Sequence, residues 1–143
     1  MKQSASILIR AGRTFVSTFS QADNLLWIAD GVPEVAGNEP SAAELGAVVS
    51  KALAASRAGL PFPTSRGRLL LPLLRLANVS TEKELNVGAR SVSVKRDAGQ
   101  TVVYPMVRRG REFHYLPDQA IVLESPSTED LGRAVLNAIE RSS

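Results

Sequence analysis

The only histidine in the chain, His114, is the first side chain to consider as a general base, and it lies in the run Arg111-Glu112-Phe113-His114-Tyr115. A histidine acts in this way when an oriented nucleophile and an orienting acid stand beside it. The sequence has no Gly-x-Ser-x-Gly motif and no phosphate-binding Gly-x-x-x-x-Gly-Lys loop. We therefore interpret His114 as a structural or surface residue.

Two carboxylate pairs are the next candidates for acid–base chemistry. Glu82 and Glu84 fall in a polar stretch, and Glu129 and Asp130 fall where a helix is predicted to begin. Acidic residues in a first helical turn interact favourably with the helix dipole, which explains the second pair without catalysis. We predict a protein that is not an enzyme, with no catalytic residues, no cofactor and no small-molecule substrate.

Cysteine is absent from the sequence. This absence excludes a disulfide scaffold and a thiolate zinc site, and one histidine is too few for a usual metal site, so we expect no bound metal. The apolar run at residues 7–9 is too short for a signal peptide, and no stretch approaches the ~20 apolar residues of a membrane span. We expect a soluble, cytoplasmic protein that does not bind membranes.

Charge is unevenly distributed along the 143 residues. Residues 1–20 carry +3, residues 21–56 carry −4, residues 57–111 carry +8 and residues 112–143 carry −4. Of the 17 cationic side chains 13 are arginine, the residue favoured in bidentate and interface contacts. These charged stretches are either solvated faces of surface elements, which is the commoner case, or a recognition surface of one sign. The size and composition are those of one globular domain over residues 1–143.

The arginine-rich middle raises an alternative, namely a module that binds nucleic acid. Tyr104 and Tyr115 lie near for stacking, and phosphates would be attracted to the cations. No helix-turn-helix, zinc-finger or RNP-type motif accompanies these arginines, so direct nucleic-acid binding is the second hypothesis. The arginines of the segment are Arg57, Arg66, Arg68, Arg75, Arg90, Arg96, Arg108, Arg109 and Arg111.

Alternating and β-branched residues predict strands at both ends of the chain. Residues 5–10 and 13–19 form a hairpin around Ala11-Gly12, and the alternation places Phe15, Ser17 and Phe19 on one side. Residues 25–29 predict a short strand that enters a turn. Residues 91–94 and 101–104 predict a second hairpin, and residues 120–123 predict one more buried strand.

Three helices are predicted between and after these strands. Ser41-Ala42-Ala43-Glu44 is a capping box, and the apolar residues after it recur at helical spacing. Residues 69–76 favour a short helix with Pro72 in its first turn, after an irregular connection over residues 58–67, and a strand is the weaker alternative for residues 69–76. A last helix is predicted from Thr128 to Arg141.

The first and last helices form an internal repeat. Residues 40–57 align with residues 126–143 at seven identical positions of eighteen, among them Leu45-Gly46 and Leu131-Gly132. Glycine inside a helix costs about 1 kcal/mol relative to alanine, so each glycine indicates a close approach to a sheet or a neighbouring loop. Duplication, a shared packing rule and convergence of two amphipathic helices all remain open as explanations.

The repeated sequence motif resembles that of a known family. Pro-Ser-x-x-Glu-Leu-Gly-x-x-Val-x-x-Ala-Leu over residues 40–53 and Pro-Ser-x-x-Asp-Leu-Gly-x-x-Val-x-x-Ala-Ile over residues 126–139 flank a basic middle and a valine-rich hairpin. From about Phe15 to Arg141 the chain resembles the CdiI immunity proteins of contact-dependent growth inhibition. The resemblance implies one α/β (α+β) domain, with a mixed or antiparallel sheet packed by two similar Leu-Gly helices and a short middle helix.

The same resemblance implies a function and a partner. It implies a non-catalytic protein that forms a 1:1 complex with the C-terminal toxin domain of a CdiA-type protein and blocks it. A nuclease that cleaves transfer RNA is the expected toxin. The expected contacts include Trp27 as an anchor, although a lone tryptophan in a strand is more often a core residue, and both interpretations of Trp27 stay open. Either charge pattern is compatible with such an interface. In the first pattern, acidic groups imitate nucleic acid in the toxin's basic cleft, and they are Asp23, Asp30, Glu34 and Glu39. In the second pattern, a basic cluster contacts an acidic surface of the toxin, and it consists of Arg66, Arg68, Arg108, Arg109 and Arg111.

Overall fold

The computed structural model describes residues 2–63, 67–110 and 112–143. Two similar series of strands, each followed by a long helix, are separated by two further helices. The strands are β1 (Gln3–Arg10), β2 (Arg13–Gln21), β3 (Trp27–Ala29), β4 (Glu34–Asn38), β5 (Arg90–Asp97), β6 (Gln100–Arg109), β7 (Glu112–Tyr115) and β8 (Ile121–Glu124). The α-helices are α1 (Ala42–Ala54), α2 (Gly67–Ala77), α3 (Glu82–Asn86) and α4 (Thr128–Arg141), and Pro117–Gln119 form a 3-10 turn.

All eight strands belong to one sheet, whose order is β3-β2-β1-β5-β6-β7. Strand β4 pairs with the beginning of β2 and β8 with the beginning of β6. Every pairing between these strands is antiparallel, which confirms the predicted α+β class and selects the antiparallel sheet from the two expected types. Within the described residues no helix is both long and apolar enough to cross a membrane.

Both predicted hairpins are present, and both reverse through Ala-Gly. Ala11 and Gly12 have φ of +50° and +77°, and Ala98 and Gly99 have +51° and +85°. Two consecutive positive φ angles give a turn whose twist matches the flanking strands, and glycine adopts this region without steric cost. The structure therefore uses the same turn in each hairpin.

One face of the sheet packs against α1 and α4 and forms the main core. Ile7, Val16, Val92 and Val103 project from the strands and meet the helices in a cluster of fully buried side chains. The helices contribute apolar residues at the spacing predicted from the sequence, namely Leu45, Val49, Leu53, Leu131, Val135 and Ala138. Each helix begins at a serine, Ser41 or Ser127, whose hydroxyl accepts a hydrogen bond from the amide three residues later.

Gly46 and Gly132 lie where α1 and α4 touch. A Cβ on Gly46 would stand 1.8 Å from the carbonyl oxygen of Thr128, and a Cβ on Gly132 would stand 1.7 Å from that of Ala42. The predicted close approach is confirmed, but its partner is the other helix and neither the sheet nor a loop. The atoms nearest to each added Cβ belong to the backbone of the other helix, so the clash cannot be relieved by the movement of a side chain.

The repeat extends beyond the helices to the strands that precede them. Strands β1 and β5 begin 87 residues apart, and Ser6 on β1 pairs with Ser93 on β5. Glu39 and Ser125, each before a Pro-Ser helix start, both have positive φ, of +48° and +40°. Residues 3–54 and 90–141 are thus equivalent halves about a pseudo-twofold axis that passes between Ser6 and Ser93. The intervening segment that contains α2 and α3 has no counterpart.

The structure corrects several expectations. Helix α2 begins at Gly67, so Pro72 is its sixth residue and not in the first turn. Because proline has no N–H, Pro72 cannot donate a hydrogen bond to the carbonyl of Arg68. The helix tolerates this loss because the burial of Leu74 and Ala77 against the sheet stabilises it. The final strand, β8, is an edge strand and not a buried one, with Val122 57% exposed. The sequence did not predict the short elements β4, β7 and α3.

Candidate functional site

The second face of the sheet, opposite α1 and α4, is only partly covered. Near Leu8 and Phe15 it is sealed by α2 and α3, whose Leu74, Ala77 and Leu85 complete a second buried cluster. Beyond that cluster the sheet and the helices separate around a cavity of about 870 Å³. A smaller cavity of about 160 Å³ continues from it along Ser6, Ser17 and Phe113. We call the two together the sheet groove.

The groove has an apolar floor and a charged rim. Phe19, Trp27 and Ala29 line it from β2 and β3, and Leu69 and Leu70 line it from α2. The rim consists of Thr81, Glu82 and Lys83 at the start of α3 and Glu112 at the start of β7. An apolar concave surface with a few polar groups at its edge is the usual form of a binding site.

Trp27 is the largest side chain in the groove. It is half-buried, and the ammonium of Lys95 lies 4.7 Å from its ring centroid, within the range of a cation–π interaction. Strand β3 pairs with β2 on one side only, so the indole stands near the edge of the sheet. The predicted anchor residue is therefore held in a defined orientation and remains accessible.

Asp30 follows β3 and is engaged within the protein. The guanidinium of Arg57 donates to both of its carboxylate oxygens, at 2.9 and 2.8 Å, and the hydroxyl of Ser20 donates to one of them at 2.6 Å. The hydrogen bonds from Arg57 lower the pKa of Asp30 below its ordinary value, and the same pairing raises the pKa of Arg57. The pair ties the end of β3 to the segment after α1.

A comparison of the sequence with family models identifies the family. The CDI immunity protein family, CdiI, matches residues 3–142. The chain belongs to the CdiI family of immunity proteins. No functionally curated protein matches the sequence.

Two solved structures share the fold of this CdiI family member over its whole length. A protein of unknown function from Neisseria meningitidis, NMB0488, is 18% identical, with a TM-score of 0.86 over 100% of this chain and 96% of the other. A toxin and immunity complex, CdiA-CT/CdiI, from Yersinia pseudotuberculosis contains a chain that is 16% identical, with a TM-score of 0.82 over 100% of this chain and 98% of the other. At these identities the comparison shows a common fold.

The four acidic residues proposed from the sequence do not form one cluster. Asp30 is paired with Arg57, and Glu34 forms an ion pair with Lys51 of α1. Asp23 is exposed in the turn before β3, and Glu39 is exposed before α1. Of the four, Asp23 alone lies in the connection that leads directly into Trp27 and the groove.

The proposed basic residues are also dispersed. Arg68 is exposed near the start of α2, whereas Arg108 and Arg109 are exposed at the end of β6. Arg108 donates to the carbonyl of Gly110 at 3.3 Å. Arg66 and Arg111 lie outside the described residues.

Sequence reasoning missed the rim of the groove. From the sequence, Glu82 is a candidate only for acid–base chemistry and Glu112 is only a neighbour of His114, and Lys83 is not a candidate. The sequence Thr81-Glu82-Lys83-Glu84 is a helix-start signal, and in the structure the hydroxyl of Thr81 accepts from the amide of Glu84 at 3.2 Å. That signal could have located the start of α3, but nothing local indicates that α3 faces Trp27.

Proposed function

We propose that this protein neutralises a cognate CdiA-type C-terminal toxin by forming a 1:1 complex through the face that carries the sheet groove. The single observation that carries this proposal is the accessible groove around Trp27 in a chain of the CdiI family. The chain from Yersinia pseudotuberculosis with the same fold comes from a structure of a toxin and immunity complex, which supports a toxin as the partner.

The groove has the properties of a protein-binding surface. Interface energy concentrates in a few buried anchors, and tryptophan is the residue most enriched among them. Trp27 is already restrained by Lys95 and β2, so little conformational entropy is lost when a partner covers it. The surrounding rim residues would exclude water from the contact.

The toxin that fits this rim best is a nuclease, and we propose one that cleaves transfer RNA. Glu82, Glu112 and Asp23 place three exposed carboxylates around or beside the groove. A nuclease holds its polyanionic substrate with a basic cleft, so carboxylates in these positions can occupy the sites of phosphates. Binding would block the active site or the substrate surface, and it would act in the cytoplasm, where transfer RNA is found.

The residues predicted from the sequence enter this proposal with different roles. Trp27 and Asp23 contact the toxin directly, whereas Asp30 and Glu34 support the surface through their internal ion pairs. Glu39 and the basic residues Arg66, Arg68, Arg108, Arg109 and Arg111 remain proposed contacts at the periphery.

Direct binding of nucleic acid is supported less well by the arrangement of the arginines. Arg90 donates to the carbonyl of Ile139 and Arg96 to Gln3, both on the side of the sheet that packs α1 and α4. Arg68 and Arg75 lie on α2, which covers the opposite side. Cations on two sides of the sheet do not form one track for a phosphate backbone.

The test combines growth and binding. Bacteria express the toxin domain encoded immediately upstream of this chain, together with the wild-type protein or with a charge-reversal variant. We expect survival and a stable 1:1 complex with the wild type, and a loss of affinity of about tenfold or more for Glu82→Lys and Glu112→Lys. Glu140→Lys, on α4 across the sheet, is the matched control and should bind like the wild type.

Each negative outcome has a distinct meaning. No rescue and no complex, with an active toxin and a folded protein, would refute the immunity function. Rescue with full affinity in both rim variants would refute the groove as the binding face. A toxin that leaves transfer RNA intact on a gel would refute the proposed nuclease class, and tight binding of RNA by the free protein with a steep salt dependence would favour the nucleic-acid alternative.

A further inference from the structure

The turn between β2 and β3, residues 22–26, presents two leucines to solvent. Leu25 is 71% exposed and Leu26 is 56% exposed, although Ala22 at the base of the turn is buried. Adjacent exposed leucines lose the favourable free energy that burial of their side chains would provide. Two exposed leucines form a small apolar patch, so the case for a contact depends on the conformation and the position of this turn.

The backbone of this turn is fixed by hydrogen bonds. Within it the amide of Ala22 donates to the carbonyl of Leu26 at 2.8 Å, and the amide of Leu25 donates to that of Ala22 at 2.9 Å. The side chain of Asn24 accepts from the amide of Leu26 at 3.2 Å. The amide of Asp23 donates to Leu60 at 2.7 Å, which attaches the turn to the segment after α1.

Leu25 also adopts a backbone conformation that disfavours it. Its φ of +69° lies in the left-handed region, where glycine and asparagine are the common residues. A bulky residue persists there when the surrounding structure enforces the conformation, and such positions concentrate at functional sites. A leucine at position 25 is unfavourable for stability in two ways, because its φ is positive and its apolar side chain is exposed. The stability of the fold therefore does not explain why a leucine occupies this position.

The second half of the chain shows that the turn is longer than the fold requires. The equivalent strands β6 and β7 end at Arg109 and begin at Glu112, so two residues connect them. Five residues connect β2 and β3. The pseudo-twofold relation between the halves therefore identifies residues 22–26 as an elaboration of one half only.

We propose that Leu25 and Leu26 form a preformed apolar anchor that inserts into an apolar pocket on the surface of the cognate toxin. This inference rests on the proposed function and adds a second contact beside the groove. The anchor leads directly into Trp27, so a partner seated on the groove rim reaches both surfaces. Two leucines offer on the order of 200 Å² of apolar surface, far below the ~1,200 Å² of a stable interface, so they do not hold a second copy of this chain alone.

The test uses full-length variants that keep the turn. Leu25→Asn places a residue that favours positive φ at this position, and Leu26→Ser removes the second apolar side chain without changing the backbone hydrogen bonds. We expect the double variant to melt no lower than the wild type and to bind the toxin about tenfold or more weakly, mainly through faster dissociation. Val122→Thr, at another exposed apolar position on edge strand β8, is the control and should bind normally.

A second set of measurements tests the anchor even if the double variant fails to fold. Hydrogen exchange of the wild-type complex should show slower exchange of the amides of residues 22–26 than in the free protein, and Leu25→Asn alone should weaken binding. Unchanged toxin affinity in these variants would overturn the anchor while leaving the proposed function intact. The anchor would also be overturned if sedimentation showed that the free wild-type protein is a homodimer, and that the variants are monomers with unchanged toxin affinity. A wild-type protein that does not bind the toxin would overturn both proposals.

Discussion

Asp30 organises the region next to the groove through its hydrogen bonds. Ser20 is fully buried, donates to Asp30 and accepts from the amide of Arg57, so it bridges the two partners. The carboxylate is therefore bonded to a strand and to the segment after α1 at once. A charged group with several satisfied partners in a partly buried site contributes more than an exposed pair.

We expect the stability of the protein to fall in acid partly because of Asp30. Its pKa in the folded protein is lowered by Arg57, so the stabilisation is fully present above the unfolded pKa, which lies near 3.8. It is lost as the pH falls through the lower folded value. Thermal melts from about pH 6 to about pH 3 should show a smaller loss for Asp30→Asn than for the wild type.

A matched exposed carboxylate separates this effect from general acid denaturation. Glu140→Gln, on the exposed side of α4, should leave the acid dependence of the wild type unchanged. Equal acid dependence in the wild type and in Asp30→Asn would contradict the assigned role of this carboxylate.

At the scale of elements, α1 and α4 pack backbone against backbone at Gly46 and Gly132. Each glycine approaches the backbone of the other helix, and the contacts are reciprocal, so the two glycines are equivalent in the repeat. The sheet has to accommodate both helices on one face, and their close approach lets both bury their apolar residues there.

We expect Gly46→Ala and Gly132→Ala each to destabilise the protein strongly. The added methyl group overlaps a carbonyl oxygen, so the helices must move apart and lose packing, at a cost of about 1–3 kcal/mol or more. This loss outweighs the better helix propensity of alanine. Denaturant unfolding measures the effect, and Ala47→Leu at an exposed neighbouring position should change stability by less than about 0.5 kcal/mol. An unchanged midpoint in both glycine variants would contradict the contact.

The elements that were predicted correctly depend on local signals. Ser41 and Glu44 specify a helix start by themselves, and Ala11-Gly12 specifies a tight turn by itself. Strands β4 and β7 have five and four residues, and they are extended because β2 and β6 offer edges to pair with. Such edges exist only after the sheet has formed, so the local sequence does not reveal them.

The candidate site depends even more on distant contacts. Trp27 was identified because it is the only tryptophan, but Glu82 and Glu112 are 30 residues apart and meet the groove through separate elements. The ion pairs of Asp30 and Glu34 are not apparent from the sequence for the same reason, since their partners Arg57 and Lys51 come from a different part of the chain.

On the scale of the whole molecule, the two halves meet through both their strands and their helices. Strand β1 pairs with β5 along seven residues, and α1 packs on α4, so each half covers the apolar face of the other. Neither half buries its helix and sheet without its counterpart. The chain should therefore unfold as one cooperative unit, even though its sequence repeats.

This cooperativity can be tested with two probes that report different parts of the chain. Trp27 fluorescence monitors the first half, at the edge strand β3, whereas far-UV circular dichroism monitors helices and strands of both halves. We expect coincident transitions in guanidinium chloride, with one midpoint and one slope. Val135→Ala, in the core of the second half, should shift both transitions together by the same amount, because the cavity it leaves destabilises the shared core. The contradicting result would be that Val135→Ala lowers the midpoint measured by circular dichroism and leaves the midpoint measured by Trp27 fluorescence unchanged. The first half would then fold by itself, and the shared core would not unite the two repeats.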